Sequence, residues 1–235
     1  MDSNKKTARL AGLLYLLSSL PAPFGLIYVP SKLVVHGDPA ATADRIRTSE
    51  PLLRSGIAAE LLSGTVFIFA VLVLYRLFKP VSEKHALAMM VLILLSMPIS
   101  FFNVLNEVAA LNLAQGGTSF LSVIDAHQRD ALVYLFMRLR GRGIVVAQIF
   151  WGLWLFPFGI CVMRSGFIPR FIGVLLMIAG TGYVADSFAE LVLPHYADVV
   201  GRVAMITNFG ELPIIFWLLI WGAKPSASPT GGSAP

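Results

Sequence analysis

The chain has little cysteine and little charge, and both deficits narrow the classes of protein it can belong to. Its single cysteine, Cys161, cannot form an intramolecular disulfide, and no Cys/His zinc spacing is present. Charged residues make up 13% of the 235 residues, against about 25% in soluble domains. His-Glu-x-x-His, Gly-x-Ser-x-Gly and phosphate-loop motifs are also missing. We therefore expect no metal and no cofactor.

The chain consists mainly of long runs of apolar residues. Hydrophobic residues make up 57% of the chain, and a bilayer-spanning helix needs about 20 of them in sequence. Helices satisfy their own backbone hydrogen bonds in lipid, so we predict an all-α membrane bundle, a single domain over 1–224. The Ser-, Pro- and Gly-rich tail, 225–235, is expected to be disordered. Six transmembrane helices are predicted, at 9–29, 53–77, 86–111, 143–163, 171–193 and 199–222.

Two loops between these spans are long enough to hold short interfacial helices. In the loop 30–52, Asp38 followed by Pro39 is a typical helix start, because Asp caps the first turn and proline fits its first position. In the loop 112–142, a helix over 125–139 would place four apolar residues on one face. They are Leu132, Leu135, Phe136 and Leu139.

The net charge of +5 indicates contact with membrane lipid and not with nucleic acid. Lys and Arg at the ends of spans anchor helices at lipid headgroups. A six-span topology puts equal numbers of basic residues on the two sides. The tight loops 76–84 and 164–170 are both basic, however, and short loops dominate orientation. We predict that both termini are cytoplasmic.

Carboxyl and amide side chains inside the apolar runs are the most informative feature. An ionisable group in lipid is costly and usually faces a partner, a cavity or a pathway. At about 1.5 Å per helical residue, Glu211 falls near mid-membrane, whereas Glu60 and Asp186 fall in the outer half. The candidate ligand- or ion-binding residues are Glu60, Asn103, Glu107, Asp186, Glu190, Asn208 and Glu211. Basic residues expected at the cavity mouth are Arg54, Arg138, Arg140, Arg142, Arg202 and His195.

Three functions are compatible with these residues. The leading one is a small transporter or ligand-binding protein with an outward-facing acidic cavity for a small cationic or protonatable ligand. A membrane enzyme acting on lipid would use Glu60, Asp186 and Glu211 as acid/base groups or metal ligands. A structural or accessory subunit would only pair its acids with arginines. A faint similarity between 9–14 and 170–175 would make Glu60 and Glu211 counterparts in an internal repeat, facing each other across the bundle.

Spans four and five are similar to a known family. The chain reads IFWGLWLFPFG at 149–159, RSGFIPR at 164–170 and GVLLMIAG at 173–180, with Gly210-Glu211 near the end. These stretches resemble the domain of unknown function 4386 family of small bacterial integral membrane proteins. The resemblance implies a multi-pass protein of the bacterial plasma membrane with about six helices. It implies no activity and no catalytic residues.

Overall fold

The computed structural model describes residues 2–116 and 124–223, and within them it is helical without strands. A π-helical turn, Phe24–Tyr28, and two 3-10 turns, Pro194–Tyr196 and Phe209–Glu211, separate some of the α-helices. The α-helices are α1 Asp2–Ser19, α2 Val29–Leu33, α3 Pro39–Thr48, α4 Glu50–Phe78, α5 Glu83–Gln115, α6 Ala126–Leu153, α7 Leu155–Ser165, α8 Arg170–Val192, α9 Ala197–Asn208 and α10 Leu212–Ile220. The predicted tail, 225–235, lies outside the described residues.

Among the described residues, six helical stretches are long and apolar enough to cross a membrane, which confirms the predicted fold class. Each matches one of the six apolar runs of the sequence. They are Asn4–Leu33, Glu50–Phe78, Glu83–Gln115, Ala126–Ser165, Arg170–Val192 and Pro194–Ile220.

Proline explains where the fourth and sixth spans are interrupted. Pro157 has no N–H for the carbonyl of Leu153, and α6 ends at that residue before α7 continues the span. Pro213 likewise follows the 3-10 turn that ends at Glu211. The second interruption places an acidic side chain at a break in its helix.

Two pairs of glycines bring the fourth and fifth spans into close contact. A Cβ on Gly159 would lie 2.6 Å from the carbonyl oxygen of Gly173, and one on Gly180 would lie 2.7 Å from that of Gly152. In each of the two antiparallel spans, the two glycines are seven residues apart, which is about two helical turns. Small residues at such positions let helix backbones approach closely in membranes.

The fourth span differs from the sequence prediction. The segment 125–139, predicted as a separate interfacial helix, is the first part of one continuous helix, α6. Its start has a capping box between Asp125 and Gln128, and no proline lies between Gln128 and Pro157. The stretch Ala126–Ser165 has 40 residues, roughly 60 Å of helix, about twice the hydrocarbon thickness.

The extra length of α6 belongs to a second apolar core beside that of the bundle. We call this region the cap; it joins α2, α3, the start of α4, the end of α5 and the first half of α6. Helix α3 has the predicted start, since the Asp38 carboxylate accepts a hydrogen bond from the Ala41 N–H at 2.9 Å. Buried residues of the cap include Val29, Leu33, Ile46, Leu53, Leu111 and Val133.

Candidate functional site

Arg140 lies buried where the cap meets the bundle, and not at the mouth of a cavity as the sequence predicted. Its Nε donates to Glu107 Oε1 at 2.8 Å, and its Nη2 is bound to Glu60 Oε1. The side chains of Arg140, Glu60 and Glu107 are 4%, 9% and 0% exposed. Three helices, α4, α5 and α6, therefore meet at one buried ion-paired cluster, which we call the Arg140 centre.

The π-helical turn of the first span supplies a further acceptor to this centre. The Val29 N–H is bound to the Phe24 carbonyl, and Pro30 has no N–H. The carbonyl of Gly25 therefore receives no backbone hydrogen bond from Val29 or from Pro30, the two residues that would supply one in an α- or a π-helix. Arg140 Nη2 donates to that carbonyl at 2.9 Å. The guanidinium thus supplies the hydrogen bond that the π-helical turn leaves unmade.

Asn103 fixes the backbone of α6 at the same level. Its side-chain nitrogen donates to the Arg140 carbonyl at 2.8 Å, and its oxygen accepts from Asn106 at 2.9 Å. Gly143 permits this contact, because a Cβ there would collide with the Asn103 amide. The second carboxylate oxygen of Glu107, Oε2, has no hydrogen-bond partner in the described part of the chain.

Glu211 forms a second, different polar centre. The hydroxyl of the buried Tyr15 donates to Glu211 Oε2 at 2.5 Å, and Tyr183 is a second phenol in interaction range of the same carboxyl group. Among the described residues, none of the ion pairs involves Glu211. We call this group of three side chains the Glu211 centre.

One cavity of about 220 Å³ connects the two centres. Glu60 and Glu211 both line it, so these acids do face a common space. The walls are mainly aromatic and aliphatic; the Tyr15 ring lies 5.3 Å from that of Phe67 and 6.0 Å from that of Trp154. The remaining polar side chains of the lining are Ser18, Ser19, Ser63, Ser100 and Tyr183.

The charges around this cavity do not balance. Glu60 and Glu107 share one guanidinium, that of Arg140, whereas Glu211 has no ion-pair partner among the described residues. A buried charge without a partner is costly, so the excess is compensated by bound protons or by a bound cation. The cavity is therefore suited to positive charge.

The other candidate residues lie away from this cavity. Glu190 is exposed and pairs with Arg142 at 3.1 Å. Asp186 approaches α9, where a Cβ on Gly201 would lie 3.2 Å from its carboxylate oxygen. The side-chain oxygen of Asn208 is buried without a partner in the described residues. No cluster of three His, Cys, Asp or Glu side chains suited to a metal occurs in 2–116 or 124–223.

Fold and site together define a multi-pass α-helical membrane protein with two buried acidic centres. The chain belongs to the DUF4386 family, a domain of unknown function, which it matches over residues 10–222. A relative, an uncharacterized protein of Archaeoglobus fulgidus, is 30% identical over 156 residues, 65% of this chain and 75% of the relative. No solved structure matches the chain. The resemblance to this family, identified from spans four and five, is confirmed.

Proposed function

We propose that this protein binds a small cationic or protonatable ligand in the cavity, as a transporter or as a ligand-binding membrane protein. The observation that carries the proposal is Glu211, an acid facing an aromatic cavity with hydroxyl partners and no ion pair among the described residues. A ligand cation would supply the missing positive charge. The rings of Tyr15, Phe67 and Trp154 would add cation–π attraction.

The cavity lies in the half of the bundle that is farther from the termini. Glu211 is nine residues from the end of α10 at Ile220, about 14 Å along the helix. Glu60 is 18 residues from the end of α4 at Phe78, about 27 Å. The cavity therefore extends from mid-membrane toward the face opposite the termini. With cytoplasmic termini, that face is the outside of the plasma membrane.

For two of the acids, the Arg140 centre favours a structural role, the third of the functions considered from the sequence. Glu60 and Glu107 are held by one guanidinium that also binds a backbone carbonyl of the first span. Such a cluster fixes four helices relative to one another. We assign ligand binding to Glu211 and the positioning of the cavity wall to Arg140.

A thermal-shift measurement on the detergent-purified protein tests the binding proposal. The probe is benzyltrimethylammonium, compared with neopentylbenzene, its uncharged carbon analogue. A ligand that binds only the folded state raises the melting temperature by mass action. We expect the cation to stabilise the parent protein and the Glu190→Gln control, but not Glu211→Gln. An equal shift in Glu211→Gln, or none with either probe or with other small amines, would contradict the proposal.

Flux then separates a transporter from a binding protein. Proteoliposomes containing the parent protein should accumulate radiolabelled probe if the cavity opens to both sides in turn. Protein-free liposomes and liposomes with Glu211→Gln are the controls. Binding without flux would indicate a ligand-binding protein.

A further inference from the structure

We infer that the Glu211 centre is a cation–proton exchange site, in which an arriving cation displaces the proton that the carboxyl group carries when the cavity is empty. The inference rests on the proposed function and adds its ionic coupling. It starts from the shortage of positive charge, since Arg140 is the one basic side chain paired with the acids of the cavity in the described residues.

Within the part of the chain that the structure describes, the groups that face Glu211 give it hydroxyl partners but no fixed countercharge. Helix α1 contributes the phenol of Tyr15, and α8 contributes that of Tyr183. The neighbouring aromatic residue of the fourth span, Trp154, carries no charge. Arg9 of α1 binds the carbonyl of Ile220, at the far end of α10. A proton is thus the remaining way to neutralise this carboxyl group in an empty cavity.

The Arg140 centre does not relieve this shortage. Its guanidinium is already bound to Glu60 and Glu107, and to the Gly25 carbonyl. Two carboxyl groups there already compete for one positive charge. Arg140 therefore cannot act as the counter-ion of Glu211 unless it breaks its ion pairs with Glu60 and Glu107, which are themselves buried.

The exchange conserves charge in the cavity. The O–H bond of the Glu211 carboxyl group breaks, the proton leaves to solvent, and the carboxylate pairs with the incoming cation. The phenol of Tyr15 can donate to the carboxylate, as the structure shows, and stabilises it once the proton has gone. If the site opens to each face in turn, one monovalent cation moves against one proton.

Isothermal titration calorimetry with benzyltrimethylammonium tests the inference, because this cation has no dissociable proton of its own. Titrations at one pH in two buffers of different ionisation enthalpy report the protons released per cation bound. We expect about one proton per cation at pH values at which the carboxyl group of the empty cavity is protonated. Titrations at several pH values within that range should show an apparent affinity that rises about tenfold per pH unit. The Glu190→Gln control should behave like the parent protein.

The outcomes separate this inference from the proposed function. If the cation binds in neither buffer, both the proposed function and the exchange site are refuted. Binding without proton release, or release that persists in Glu211→Gln, overturns the exchange site alone. If Glu211→Gln fails to fold, infrared difference spectra of the parent protein test the exchange site instead. The protonated-carboxyl C=O band must then disappear on addition of the cation, and its persistence refutes the inference.

Discussion

Replacing Arg140 with methionine should destabilise the protein far more than the same change at Arg142, two residues further along α6. Arg140 is 4% exposed in its side chain, and its removal leaves Glu60 and Glu107 buried without their counter-ion. Arg142 is 49% exposed and pairs with the exposed Glu190. Methionine keeps the apolar stem in both variants, so the comparison isolates the charge and its hydrogen bonds.

The magnitudes follow from burial. Removing one partner of a buried ion pair costs about 3–5 kcal/mol, because the other charge stays buried and unpaired. The Gly25 carbonyl also loses its donor, which adds to the cost. An exposed ion pair is worth about 0–1 kcal/mol, which sets the expected loss for Arg142→Met.

Reversible unfolding in mixed detergent micelles is the appropriate assay, with helix content followed by circular dichroism. A third variant, Arg140→Met with Glu60→Gln and Glu107→Gln, removes the stranded charges and should recover much of the lost stability. Equal stability of Arg140→Met and Arg142→Met would refute the buried ion-paired cluster. Failure of the triple variant to recover would show that the arginine acts through packing and not through charge.

Two further predictions concern helix contact and the Glu211 centre. Gly159→Val should lower the melting temperature markedly, since its side chain would meet the Gly173 carbonyl, whereas Gly141→Ala should have little effect because no atom lies within 4 Å of the added Cβ. Tyr15→Phe removes a hydrogen bond to the Glu211 carboxylate and should weaken benzyltrimethylammonium binding roughly fivefold, as expected for about 1 kcal/mol. Unchanged affinity in Tyr15→Phe would mean that the ligand does not engage this carboxylate.

The spans could be predicted from the sequence because hydropathy and length act locally. A run of about 20 apolar residues has no alternative to a helix in lipid, and the start of α3 follows from a local cap at Asp38. The continuity of α6 was missed for a related reason. Its first half carries charged residues, and its apolar run begins only at 143, so hydropathy places the start of the span within the helix and not at its first residue.

The burial of Arg140 could not be predicted from hydropathy, which places basic residues at headgroups by default. A usable signal was present in Gly143, three residues further on and therefore on the same helical face. Glycine on a helix face favours close approach of another helix, and Gly143 does pack on Asn103 of α5. An arginine beside such a contact faces protein, where it needs carboxylate partners such as Glu107.

The acids of the apolar runs differ in their partners. Glu60 and Glu107 pair with Arg140, and Glu190 pairs with Arg142. Glu211 has hydroxyl partners, lies at a helix break created beside a proline, and faces an aromatic cavity. Structural stability alone gives no reason to keep an acid there, because an apolar side chain would pack at lower cost. The proposed binding of a cation would give Glu211 a role that packing does not supply.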